Sequence, residues 1–240
     1  MINTNGIRIA DDKGFAERLN DYMPGIEVYL QFDSFKPSVL TKLRGKDLSA
    51  KRQKALEKLE KFNIHSTLVV TLERGQNDDE IGKIIDFALE YRCLRGVTFQ
   101  PTQVAGRTDN FDPLKNKFTL TETRQGILDQ TDVFEENDIV PVPCNPDALA
   151  MAYALKLNGT VVPLTSMIDP EIFLNGTRNT ILLEQEKNLQ KELVKVFSTS
   201  QAGGALAKNL QTLLCCLPMI SAPNLSYENI FRVIILKFMD

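Results

Sequence analysis

Four short β-prone runs, centred near Ile2, Val28, Val69 and Val97, alternate with stretches of helical periodicity. This alternation restricts the fold more than any other feature of the chain. Successive βα units pack as parallel strands with the helices against a sheet face. Four units are about half of an eightfold barrel. The expected fold class is therefore α/β, a partial (β/α) barrel of parallel strands with an adjoining mainly helical region. The barrel-like part is assigned to residues 1–118. Residues 119–240 are assigned to the helical region, with a β-hairpin and a C-terminal strand.

The run over residues 26–35 anchors this reading. Val28, Leu30 and Phe32 alternate with Tyr29, Gln31 and Asp33, and both sets are bulky. That pattern predicts a strand covered on two sides. Helices are predicted over residues 11–23, 49–62 and 79–91, the last with Ile81, Ile84, Ile85 and Ala88 as its buried stripe. In the second half, residues 121–131 and 147–154 read as helices, as do 181–197 and 205–217. Residues 155–162 read as a hairpin turning at Asn158-Gly159, and residues 230–239 as a strand.

Ligands of parallel α/β folds sit outside the carboxyl ends of the strands. All four runs end there in polar residues: Thr4 and Asn5, Gln31 and Asp33, Thr71 and Glu73 with Asn77, and Gln100 followed by Pro101. Arg107 lies on the irregular segment that follows. Several of these have ordinary structural alternatives. Asn5-Gly6 suits a turn, Asp33 suits the cap of the next turn, and Asn77 or Asp78 suits a helix N-cap.

Composition narrows the function. A net charge of −3 argues against a dominant nucleic-acid or anionic-membrane surface. The longest apolar runs are too short to span a bilayer, and the first residues lack the pattern of a signal peptide. A cytoplasmic location is the expectation. The cysteines are Cys93, Cys144, Cys215 and Cys216, and the lone histidine is His65. Their spacing matches neither a zinc site nor a disulfide framework, so no metal ligands are assigned. Buried free thiols are expected instead.

The ordered segments Thr4-Asn5-Gly6, Tyr29-Leu-Gln-Phe-Asp33, Thr67-Leu-Val-Val-Thr-Leu72 and Gly96-Val-Thr-Phe-Gln-Pro101 resemble the radical S-adenosylmethionine enzymes. Leu43-Arg-Gly45, Gly75-Gln-Asn-Asp78 with Glu80-Ile-Gly82, and Ala105-Gly-Arg107 are similar to a subgroup related to tetraether lipid synthase and radical methylases. The resemblance implies a partial parallel barrel that binds S-adenosylmethionine along the strand ends. In the intact protein it also implies a [4Fe–4S] cluster and 5′-deoxyadenosyl radical chemistry, either methylation or C–C bond formation. It places Thr4, Asn5, Gln31, Asp33, Thr71, Glu73, Asn77, Gln100, Pro101 and Arg107 at the cofactor site, with Asp33 accepting from ribose hydroxyls. The family's C-x3-C-x2-C cluster motif is missing here. The expectation is an internal piece of such an enzyme that retains part of the S-adenosylmethionine site and is not catalytic alone.

Two other readings stand beside it. One is a non-catalytic binding module that self-associates through an open sheet edge. The other is an aldolase-like barrel, disfavoured because no lysine stands at a strand end for Schiff-base chemistry. The partner expected under the first reading is a small-molecule cofactor.

Overall fold

The predicted succession of strands and helices takes shape in the computed structural model, which describes residues 1–102, 112, 117–142, 145–157, 160–166 and 230–236. The chain divides into two compact units. One comprises Met1–Asp132 with Arg232–Asp240, the other Val133–Phe231.

In the first unit, strands β1 (Ile2–Thr4), β2 (Val28–Gln31), β3 (Ser66–Leu72) and β4 (Leu94–Pro101) pair side by side in parallel. Residues 232–235 of β8 (Ile230–Leu236) add a fifth parallel strand against β4. The connections are α1 (Ile7–Asp11) and α2 (Phe15–Asn20), then α3 (Pro37–Arg44) and α4 (Ser49–Lys61), then α5 (Ile81–Glu90). Helix α6 (Leu120–Gln130) follows β4 in the chain and belongs to the same unit. It starts one residue before the predicted position because Thr119 and Glu122 form a capping box. The Thr119 hydroxyl accepts from the Glu122 N–H at 3.1 Å, and the Glu122 carboxylate accepts from the Thr119 N–H at 2.8 Å.

Strand pleating sorts the side chains into two sets. Val28, Leu30, Leu68, Val70, Leu72, Val97, Phe99, Val233 and Ile235 share one face and are all buried. Ile81, Ile84, Ile85 and Ala88 of α5 and Ala55, Leu56 and Leu59 of α4 are buried too, giving this side an aliphatic core. Each full-sized member contributes about 2 kcal/mol by leaving water. The opposite face carries Tyr29, Gln31, Thr67, Val69, Thr71, Gly96, Thr98, Gln100 and Arg232. Tyr29, Gln31, Val69, Thr71 and Gln100 are only half-buried. The expectation that β2 is covered on both sides therefore fails. Its bulky second set is amphipathic, and it lines a partly open polar face.

Two local predictions also fail. The helix expected over residues 11–23 is confined to α2, and a separate short helix, α1, precedes it. The Asp12 carboxylate accepts from the Gly14 N–H at 2.9 Å and turns the chain there. The Lys58 ammonium ends α1 by donating to the carbonyls of Ile9, Ala10 and Asp12 at 2.9, 3.0 and 2.9 Å. In the second unit, the helix expected over residues 147–154 is instead part of β6 (Leu149–Leu157). Its alanines and leucines favour a helix locally. Antiparallel pairing with β5 (Val140–Pro141) near its start and with β7 (Thr160–Pro163) near its end overrides that preference. The predicted hairpin is present, with Leu157 opposite Thr160. Described residues of this unit are thus mostly strand. The helices predicted over residues 181–197 and 205–217, Arg107, Cys144 and most of the segment 101–118 lie outside the described residues.

Candidate functional site

At the carboxyl ends of β2 and β3 the polar face gathers its charged groups. The chain leaves β2 through Phe32 and reaches Asp33 in the left-handed region, with φ of 64°. An aspartate tolerates this conformation better than most residues. It turns the carboxylate back across the sheet end, where it is 1% exposed. Oδ1 accepts from the Thr71 N–H at 3.0 Å and from Arg44 Nη2 at 2.8 Å, while Oδ2 accepts from Arg44 Nε at 2.7 Å. This is a two-pronged arginine–carboxylate pair, the strong and directional form of the interaction. Hydrogen bonding to Asp33 holds the Arg44 guanidinium charge even more firmly than usual, against the opposing effect of burial.

Arg44 is delivered by the last turn of α3. Gly45 ends that helix with φ of 76° and returns its N–H to the Thr41 carbonyl at 2.8 Å. A side chain at this left-handed position would be strained, so the glycine fixes where Arg44 leaves the helix. Arg44 also donates to Thr71 Oγ1 at 2.8 Å. With its amide oxygen turned toward the guanidinium, Gln31 accepts from Nη1 at 2.8 Å and Nη2 at 2.9 Å. The arginine is 28% exposed, so the cation and not its carboxylate partner meets the solvent side of the site. On the neighbouring strand Gln100 stands opposite Thr71 and is half-buried on the same face.

Beneath this line the strand ends are stitched together. Asn77 is fully buried. Its amide nitrogen donates to the Asp33 carbonyl at 2.7 Å and to the Thr71 carbonyl at 2.8 Å, and its oxygen accepts from the Glu73 N–H at 2.9 Å. The side chain caps no helix, which sets aside the N-cap alternative. Ser34 donates to Glu80, and the Arg52 guanidinium donates to the Ser34 carbonyl at 3.1 Å while lying 4.9 Å from the centre of the Phe32 ring. Burial weakens the hold of Arg52 on its proton.

The predicted site residues thus fall into groups. Gln31, Asp33, Thr71 and Gln100 come together on one face, and Asn77 lies directly behind them. Glu73 turns aside to pair with Lys42 of α3. Pro101 is buried on the helix-packed face, opposite Leu72. Thr4 and Asn5 serve their own turn, accepting from the Gly6 N–H at 3.1 Å and the Ile7 N–H at 3.2 Å. Sequence reasoning did not assign Arg44, the most conspicuous group in the assembly. The only signal for it was the tripeptide Leu43-Arg44-Gly45.

The residues present do not fit a [4Fe–4S] cluster. Among the described residues the one cysteine is Cys93, whose buried thiol is pushed strongly up by desolvation and then by the adjacent Glu60 carboxylate. A cluster ligand must be a thiolate. In the sequence, Cys144, Cys215 and Cys216 do not complete a three-cysteine motif with it. A group with ribose hydroxyls, an amine and a carboxylate fits the polar line better, since Arg44, Gln31, Thr71 and Gln100 offer both donors and acceptors.

No protein-family model matches the chain. Among the described residues no helix is long and apolar enough to cross a membrane. The chain is 35% identical over 207 residues to 7,8-dihydro-6-hydroxymethylpterin dimethyltransferase of Methanocaldococcus jannaschii, a match covering 75% of this chain and 40% of that protein. It therefore spans well under half the length of this curated relative. The chain is thus similar to a pterin dimethyltransferase over part of that protein's length.

Proposed function

We propose that the half-open polar face of the parallel sheet is the S-adenosylmethionine-binding part of a radical methyltransferase acting on a pterin-like substrate. The observation that carries this reading is the line of Gln31, Thr71, Arg44 and Gln100 at the strand ends, in a chain 35% identical to a pterin dimethyltransferase. In this proposal Arg44 meets the ligand carboxylate. Gln31 and Gln100 exchange hydrogen bonds with the ribose and adenine. Asp33 holds Arg44 in place and leaves the ribose hydroxyls to other groups, because its carboxylate is 1% exposed while the arginine faces solvent. The partial barrel expected from the sequence is retained in the proposal as the frame for this face. The cluster chemistry requires thiolates that this sequence does not supply in the family's motif, so the chain by itself binds the cofactor without cleaving it.

Isothermal titration of the full chain with S-adenosylmethionine tests this reading. Saturable binding is expected, weakened about tenfold or more by Arg44→Met, which removes a charged hydrogen-bonding partner. Product analysis under reducing, anaerobic conditions is expected to find no 5′-deoxyadenosine. An absence of saturable binding would overturn the proposal. The second reading, a self-associating module, draws on β1, which among the described residues pairs only with β2. A stable dimer in sedimentation, with no cofactor binding, would favour it.

A further inference from the structure

Asn77 is a fully buried amide that touches the carbonyls of both strand ends. It bonds to the residue that grips Arg44 and to the residue that Arg44 grips in turn. An asparagine has two donors and a carbonyl acceptor, and here all three functions are engaged, on Asp33, Thr71 and Glu73. The bond to the Asp33 carbonyl pins a residue whose backbone already stands in the left-handed region, with φ of 64°. A residue in that conformation needs its surroundings to hold it. If Asp33 relaxes toward extended backbone, its carboxylate no longer points at Arg44 Nε and the Thr71 N–H together. The Asn77 side chain is buried beneath the face and reaches no ligand there.

We propose that Asn77 is a positioning residue that locks the Asp33–Arg44 pair and so sets the affinity of the site for a ligand carboxylate. This deepens the cofactor reading above and rests on it for the identity of the ligand.

The decisive variant is Asn77→Asp. It keeps the shape and the oxygen that accepts from Glu73, but sets a second oxygen against two backbone carbonyls. Two measurements on the full chain separate positioning from general damage. The first is the Arg44 Nε–H resonance in a nitrogen-15 correlation spectrum, assigned by its loss in Arg44→Met. The second is a pair of titrations, with S-adenosylhomocysteine, which carries the amino-acid carboxylate, and with 5′-methylthioadenosine, which lacks it. In the wild type the Nε–H signal is expected to be sharp and slow to exchange. In Asn77→Asp it should broaden or vanish. S-adenosylhomocysteine should then bind about tenfold more weakly, while methylthioadenosine is unchanged.

An intact Arg44 signal with unchanged affinities would overturn the proposal, and so would an equal loss for both ligands. If the wild type binds neither ligand, the cofactor reading fails separately, and the Arg44 signal alone decides the role of Asn77. Should Asn77→Asp not fold, Asn77→Ser, which retains one donor for one of the two carbonyls, takes its place under the same criteria.

Discussion

The two ends of one sheet face each carry an arginine paired with a carboxylate, and the two pairs are built in opposite senses. At the amino ends of the strands, Arg232 of β8 reaches Glu27 and Thr67, and the Thr67 hydroxyl donates to the same Glu27 oxygen at 2.6 Å. Here the arginine is the hidden member, 4% exposed against 17% for the glutamate. Gly96, opposite Arg232 in the neighbouring strand, makes room for it. A methyl group at that position would stand 2.7 Å from the arginine Cγ and 2.2 Å from its carbonyl oxygen. At the carboxyl ends the exposure is reversed, 28% for Arg44 against 1% for Asp33. A pair with its cation buried can only hold strands together. A pair with its cation toward solvent can also hold a ligand. The same chemistry thus gives a floor at one end and a recognition edge at the other.

The largest expected effect lies at the floor. Removing one member of a buried ion pair leaves an uncompensated charge, which costs about 3–5 kcal/mol. Glu27→Ala should lower the unfolding free energy by that amount in urea titrations, with cofactor binding weakened only in proportion to unfolding. At the other end, Asp33→Asn should cost about 1–2 kcal/mol, because solvent can reach the released arginine. It should nonetheless weaken S-adenosylmethionine binding more than Glu27→Ala does at a denaturant-free pH where both variants are folded. If the two variants trade places, with the floor governing binding and the edge governing stability, the comparison is wrong.

A smaller effect, remote from both pairs, serves as a control. Burial opposes ionisation of Glu60, but the N–H groups of Cys93 at 2.8 Å and Arg92 at 3.3 Å more than offset it and hold its carboxyl below the usual range. A lowered folded-state value stabilises the protein above the unfolded-state value and loses that contribution as pH falls through the folded one. Glu60→Gln should flatten the acid limb of the stability curve, beginning near the ordinary glutamate value of 4.5 and extending below it, and leave ligand affinity unchanged.

Much of this was legible in the residues. The β1–β4 strands fall where the apolar runs are, since alternation and β-branching are local properties. Gln31, Thr71 and Gln100 could be grouped because strand ends in a parallel sheet share an edge. Arg44 could not be, because its place depends on where α3 stops and on a contact with a residue 11 positions earlier in the chain. Asn77 read as a site residue or a helix cap, the latter because the sequence around it is rich in capping residues, and only the meeting of two strand ends shows what its amide holds. For residues 147–154 local propensity pointed the wrong way, and antiparallel pairing with β5 and β7 decided the outcome.

The Arg232–Glu27 contact joins residues 205 positions apart, and this bears on how the chain folds as it is made. During synthesis at about 5–20 residues per second, β4 is complete on the order of 10 s before β8 leaves the ribosome. For that interval its outer edge, with Val97 and Phe99 beside it, is unpaired, and Gly96 has nothing to accommodate. Until β8 arrives to pair with it, the edge of the nascent first unit is therefore a template open to another strand.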